Sequence, residues 1–204
     1  KHGSCILPSQ GVFAKVLSGG RVSSGDAIAA ARQEGILHAG VLTISDRCSA
    51  GEREDSSGKT IMENLSGFGA KPVRYRLVPD DKPEISRALV SWCGDGFLDL
   101  IFTTGGTGFS PRDNTPEATK AVVEREAPGI PELLRFSGGK KTFKAYLSRG
   151  ISGIRGQTLI VNLPGSETAV REGLDALADI IPHAVEIMKG EVKDGLTQGA
   201  AKQK

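Results

Sequence analysis

The sequence predicts an α/β fold with three layers, a mostly parallel sheet between helices on both faces. Three observations carry this. From residue 36 onward, apolar runs of strand length alternate with stretches of helical period. Glycine, proline and aspartate clusters punctuate the ends of those runs. The 204 residues, 38% hydrophobic and 25% charged, suit one globular domain with an attached piece rather than a disordered chain.

The elements follow in order. Residues 11–17 and 21–28 flank Gly19 and Gly20 and read as a β-hairpin, with the alanine-rich residues 29–34 as a short helix or linker. Residues 40–45 read as a buried strand, and residues 60–65 as a helix that stops at Gly67 or Gly69. Residues 73–78 form a second strand ending at Pro79, Asp80 and Asp81. Pro83 then sits at a first helical position, and Ile85, Ala88, Leu89 and Trp92 share one helix face. Residues 98–103 are a third strand. Thr115 reads as an N-cap before Pro116, with Ala118, Ala121 and Val122 as the apolar stripe. The stretch 127–156 is less regular, with a helix near residues 131–136. Residues 158–163 are a fourth strand. The last helix puts Val170, Leu174, Leu177 and Ile181 on one face, and Pro182 should kink or divide it. The tail after Gly190 is polar.

Composition excludes several classes of function. The 26 basic and 24 acidic residues leave a net charge of +2, with no basic footprint for nucleic acid. No apolar stretch approaches the roughly 18 residues of a membrane span. Three scattered cysteines, Cys5, Cys48 and Cys93, argue against a disulfide framework or zinc site and favour a reducing compartment. His2, His38 and His183 share no metal-ligand spacing. Cys48 lies beside a candidate loop but has no base partner in the sequence pattern.

Glycine is in excess, with 27 residues, nearly double the usual share of about 7%. In a parallel sheet, ligands sit at the carboxyl ends of the strands, and the small-residue clusters fall there. After the first strand come Ser45, Asp46 and Arg47, then Asp55, Ser56, Ser57, Gly58, Lys59 and Thr60. A P-loop would need glycine where Arg53 stands, so that motif fails. A helix start at Ser57 and Gly58 still suits an anion, with a ligand-free Asx-turn as the plainer alternative. After the second strand, Asp80 and Asp81 serve a metal or cap a helix. After the third come Thr104, Gly105, Gly106, Thr107 and Gly108, then Asp113. The dinucleotide pattern fails there, because Pro111 stands where its third glycine belongs. Three glycines in four residues nevertheless let a backbone approach phosphate, and Asp113 can hold a cation bridging phosphates or cap the turn. After the fourth strand come Asn162, Pro164, Gly165 and Ser166. Ser148, Arg149 and Arg155 offer further polar groups, the arginines for phosphate or for solvent. Together the clusters suggest a phosphate-rich substrate and a divalent metal.

These motifs, in this order, resemble the MogA family, which includes bacterial MogA and MoaB, the G domain of gephyrin and its plant counterpart. The residues that carry the resemblance are Ser45–Arg47 with Gly51 and residues 55–58, residues 103–108 with 111–119, residues 147–150 and 154–156, and residues 162–166. It covers about residues 37–190. The resemblance implies the fold of that family and a molybdopterin adenylyltransferase acting with Mg2+, which moves AMP from ATP to the phosphate of molybdopterin and releases pyrophosphate. It implies Asp80 and Asp113 as the essential acidic, metal-binding positions, with Asp81 as a competing neighbour. It assigns phosphate binding to Ser45, Asp46, Arg47, Ser57, Gly58, Thr104, Gly105, Gly106, Thr107, Gly108, Ser148, Arg149, Asn162, Pro164, Gly165 and Ser166. It also implies a cytoplasmic homotrimer, with other molybdenum cofactor biosynthesis proteins as partners and neither nucleic acid nor membrane. A non-catalytic molybdopterin-binding or scaffold relative is the alternative.

Residues 5–28 resemble the tail of a MOSC domain, through Cys5 to Pro8, Gly11 to Gly20, and Gly25 with Asp26. The organisation expected is a MOSC-like fragment and linker over residues 1–35, the MogA-like domain over 36–190 and a polar tail over 191–204.

Overall fold

The computed structural model describes residues 35–190. The expected hairpin, the MOSC-like segment and the polar tail lie outside the described residues. Six strands form one sheet in the order β2-β1-β3-β6-β5-β4. The strands β1 (Leu37–Ile44), β2 (Ala70–Val78), β3 (Leu100–Thr104) and β6 (Thr158–Leu163) run parallel. The short strands β4 (Arg125–Glu126) and β5 (Ser152–Arg155) close the far edge antiparallel. The helices are α1 (Asp46–Ser49), α2 (Ser56–Asn64), α3 (Lys82–Gly94), α4 (Thr115–Lys120), α5 (Gly129–Gly139), α6 (Glu167–Leu177) and α7 (Ile180–Lys189).

The period-2 alternation of the central strands divides the core in two. Ala39, Val41, Leu100, Phe102, Leu159 and Val161 pack with Ile61, Val170, Leu174, Leu177 and Ile181. Leu42, Ile44, Ile101 and Ile160 pack with Ile85, Ala88, Leu89, Trp92 and Ala118. Both faces of the sheet are therefore covered, which is why these strands read as continuous apolar runs.

Several local choices depart from the sequence reading. Helix α2 starts at Ser56, because Asp55 caps it by accepting from the Gly58 N–H at 2.9 Å. Helix α4 begins with Thr115 inside it rather than as its cap. The Thr115 hydroxyl donates instead to the Gly105 carbonyl at 2.8 Å, so the glycine loop takes the group the cap would have used. The helix ends at Lys120, and Ala121 is exposed rather than part of the apolar stripe. The last helix divides between Leu177 and Ile180, before Pro182. Pro182 thus falls in the first turn of α7, where a missing N–H costs no helical bond. Pro72 lies in β2 at the sheet edge, beside a register shift opposite Ala39 and Gly40, where its lack of a donor is tolerated.

Gly40 shows why one glycine is required in a strand. A Cβ there would stand 2.9 Å from the Trp92 ring and 2.8 Å from Leu98. The indole fills the space that a side chain on β1 would occupy. Gly40→Ala should therefore destabilise the fold by about 1–3 kcal/mol through overpacking. Urea titration would read this as a lower midpoint with an unchanged slope, and an unchanged midpoint would refute the packing argument.

Candidate active site

Four parallel strands deliver their following loops to one edge of the sheet. At this edge the backbones converge closely. Gly105, at φ 98°, leaves β3 so near β1 that a Cβ on it would lie 2.1 Å from the Ile44 carbonyl oxygen. A Cβ on Gly165 would lie 3.2 Å from the Gly105 Cα. Gly106, at φ 60°, would press a Cβ onto the Thr115 hydroxyl at 2.4 Å and the Asp80 carboxylate at 2.9 Å. Only glycine combines these dihedrals with this proximity. Hydroxyls then tie the loops together. Thr104 donates to the Pro164 carbonyl at 2.6 Å, and Ser57 donates to the Gly165 carbonyl at 3.0 Å.

Carboxylates gather around this loop. The Asp46 N–H donates to the Asp80 carboxylate at 2.9 Å, and the Asp80 N–H donates back to that of Asp46 at 3.0 Å. This reciprocal pair joins the ends of β1 and β2. Arg112 donates to Asp46 from Nε at 3.0 Å and from Nη2 at 2.8 Å. Its hydrogen bonds hold the Asp46 carboxyl below the usual range. Burial pushes the Asp80 carboxyl up, and the neighbouring Asp46 and Asp113 charges add to this. Asp113 accepts from the Ser110 N–H at 2.8 Å, and the same carboxylate oxygen abuts Gly108, where a Cβ would lie 2.8 Å away. Asp81 is spent as the N-cap of α3, accepting from the Glu84 N–H at 2.9 Å. Of the adjacent pair, Asp80 is therefore the one that faces the cavity.

The start of α2 already holds an anion of the protein's own. Asp55 accepts from the Gly58 N–H, from the Thr43 hydroxyl at 2.7 Å and from the Tyr75 hydroxyl at 2.8 Å. A Cβ on Gly58 would collide with this carboxylate at 2.1 Å. Gly58 thus serves an internal cap, the plainer of the two sequence readings. Desolvation of its hydroxyl, followed by the bond to Asp55, pushes the Tyr75 phenol up to about 12.

The remaining expected residues divide by role. Arg149 turns its guanidinium onto the Gly108 carbonyl at 2.6 Å, the Asp113 carbonyl at 2.5 Å and the Glu117 carboxylate. Arg135 braces the next turn through the carbonyls of Ser148 and Gly150 at 3.3 and 3.1 Å. The Asn162 amide is buried and donates to the hydroxyls of Thr103 and Thr119, both at 2.9 Å. Ser166 caps α6 by accepting from the Ala169 N–H at 3.2 Å. Arg155 donates to the Val122 carbonyl at 2.8 Å, away from both cavities described next.

Two adjoining cavities open at this edge. One, of about 350 Å³, is polar and is lined by Ser45, Asp46, Arg47, Asp80 and Arg112 among others. The second, of about 460 Å³, combines apolar Pro131, Leu134 and Leu147 with Thr107, Ser148 and Ser166. Gly106, Asp113 and Gly165 line both. All the expected site residues except Gly58 and Arg149 line one cavity or the other. Asp55 and Arg112 stood inside the quoted motifs without an assigned role. The spacing from Asp55 to Gly58, that of an N-cap to its third helical residue, was the signal for the first.

The chain and its fold have known relatives. Residues 40–183 match a family model described as "probable molybdopterin binding domain". The chain is 44% identical over 156 residues to a molybdopterin adenylyltransferase of Helicobacter pylori, covering 76% of this chain and 89% of that one. It is 45% identical over 155 residues to the molybdenum cofactor synthesis protein cinnamon of Drosophila melanogaster, covering 75% of this chain and 26% of that protein. The crystal structure of the molybdopterin biosynthesis enzyme MoaB of Thermus thermophilus superposes with a TM-score of 0.72 at 47% identity, covering 76% of this chain and 98% of that one.

Burial of the Tyr75 phenol, reinforced by its bond to Asp55, sets a pH dependence. An unfolded phenol ionises near 10, whereas Tyr75 does so at about 12. Between those values the unfolded chain loses its proton first, so stability falls as pH rises through that window. Spectroscopic titration should show one of the two tyrosines ionising late, and Asp55→Ala should return it toward 10. Two tyrosines titrating together in the native wild type would contradict the assignment.

Proposed function

The chain belongs to the family of molybdopterin-binding domains that includes MogA and MoaB, and on that basis we propose that it is a molybdopterin adenylyltransferase, a nucleotidyltransferase of molybdenum cofactor biosynthesis. A phosphate oxygen of molybdopterin attacks the α-phosphorus of ATP. One P–O bond forms to the acceptor, and the bond to the β-phosphate breaks, so that pyrophosphate leaves. The observation that carries this reading is the pair of cavities meeting at Gly106, Asp113 and Gly165. Two phosphate-bearing substrates need two compartments with one shared wall, and the reaction happens at that wall.

The chain's contribution is positioning and charge, with no covalent intermediate. Thr104, Ser57 and Thr115 hold the glycine loop through carbonyls of other segments or of the loop itself. Arg149 holds the peptide carbonyls of Gly108 and Asp113, which orients the Asp113 carboxylate. The glycines let phosphate approach the backbone closely. The donor set fits a magnesium ion that arrives with the nucleotide. Asp80 and Asp113 offer hard oxygens in the polar cavity that both line. That matches the usual binding of Mg2+ by one or two carboxylates plus substrate phosphates. When bound, the ion offsets the charge of the crowded phosphates and of the leaving pyrophosphate.

The reading includes a homotrimer working in the cytoplasm, where the free thiols of Cys48 and Cys93 suit reducing conditions. No helix among the described residues is long and apolar enough to cross a membrane. Residues 5–28 keep their MOSC-like resemblance, with no activity assigned.

Purified protein given Mg-ATP and molybdopterin should release pyrophosphate, and the release should depend on the pterin. No release beside an active control enzyme would overturn the reading. Asp80→Asn and Asp113→Asn should each lower turnover by about 10²-fold or more with the fold intact. Wild-type rates in both would refute the metal assignment.

A further inference from the structure

Arg112 has no role in the reaction as described so far, yet it occupies the polar cavity. It stands between the glycine loop and Asp113, one residue before the carboxylate that both cavities share. Its fork closes on Asp46 with Nε at 3.0 Å and Nη2 at 2.8 Å. Side-chain exposures of 61% for Arg112 and 44% for Asp46 leave this pair open to water. So exposed a pair is held weakly and exchanges readily. Asp46 does not depend on it, because it also accepts from the Asp80 N–H at 3.0 Å. The contrast with Arg149 is informative. Arg149 bonds to two carbonyls and Glu117 and is about half as exposed, at 33%. Arg149 is a strut, whereas Arg112 holds one carboxylate that a stronger anion can replace.

We propose that Arg112 is an exchangeable latch: it rests on Asp46 in the free protein and transfers to a phosphate of the nucleotide when ATP enters the polar cavity. A phosphate presents the same pair of oxygens as a carboxylate with more charge, and the guanidinium fork suits both. While latched, Arg112 covers Asp46 and lowers the field that three nearby carboxylates present to an incoming anion. Once transferred, it supplies a cation beside the reacting phosphates. The inference rests on the nucleotide-binding part of the function proposed above and extends it to a residue that the motif reading left without a role.

The test is calorimetry of ATP binding in EDTA, so that metal affinity does not enter. It compares wild type, Arg112→Gln, Arg112→Lys, Asp46→Asn and the Arg112→Gln/Asp46→Asn double variant. Asn at 46 can still accept from the Asp80 N–H, and position 112 lies on the surface, so thermal melts should match wild type. Arg112→Gln should weaken ATP by roughly tenfold or more, and Arg112→Lys by less, since it keeps charge but loses the fork. Asp46→Asn should tighten ATP about two- to fivefold by freeing the arginine. In the Arg112→Gln background the same change still removes one repelling charge but frees no arginine, so it should gain less, and this coupling is what a general charge effect does not produce. Additive effects in the double variant, or unchanged affinity in Arg112→Gln, would overturn the latch. The adenylyltransferase reading would survive that result if wild type bound ATP and released pyrophosphate. Wild type that bound no ATP with or without Mg2+ would bring down both.

Discussion

The absence of side chains at Gly105, Gly106 and Gly165, in the loops that follow β3 and β6, is the constraint on which the site depends. Gly105 passes the Ile44 carbonyl at a distance that excludes any Cβ, and Gly165 packs tightly against Gly105, where a Cβ would lie 3.2 Å from its Cα. Backbones packed this tightly leave their carbonyls to be satisfied by whatever is near. Thr104, Ser57 and Thr115 supply hydroxyls to them, so three segments distant in sequence are held at hydrogen-bond distance. The glycine loop is therefore braced as well as permissive. A loop with freedom but no brace would not hold Asp80 and Asp113 at its two flanks.

The braced loop concentrates negative charge in the cavity proposed to take the nucleotide. Asp46, Asp80 and Asp113 share one cavity, and burial together with mutual repulsion raises the Asp80 carboxyl. Such an arrangement is unfavourable for the empty protein and suited to a metal that comes with phosphates. Arg112 offsets part of it through Asp46. Arg149 works instead on the carbonyls of Gly108 and Asp113, so that Arg149 gives support where Arg112 gives charge.

Much of this was legible in the sequence. Three of the four parallel strands, β1, β3 and β6, declared themselves as apolar runs because both their faces are buried, whereas β2 at the edge is largely half-buried or exposed. The face Ile85, Ala88, Leu89 and Trp92 is buried in α3 as its period required. The clusters at the strand ends converge as a parallel sheet demands. The antiparallel strands were not legible, since β4 has two residues and β5 is four residues carrying a glycine, too short for any period to emerge. Nor were the partners of the polar side chains. An aspartate before a helix reads equally as a cap or a ligand, and only the fold shows that Asp55 and Asp81 cap while Asp80 faces the cavity. Asn162 lines the second cavity, and only the fold shows that its amide nitrogen donates to Thr103 and Thr119.

The central claim is that one chemical event takes place at the wall shared by the two cavities. The most direct measurement is a crystal structure of the protein with molybdopterin and a non-hydrolysable Mg-ATP analogue. The account predicts the α-phosphorus beside the Gly105–Gly108 loop and between Asp80 and Asp113, with the pterin phosphate reaching it from the neighbouring cavity. A nucleotide bound with its α-phosphate away from that wall, or both ligands competing for one cavity, would contradict it.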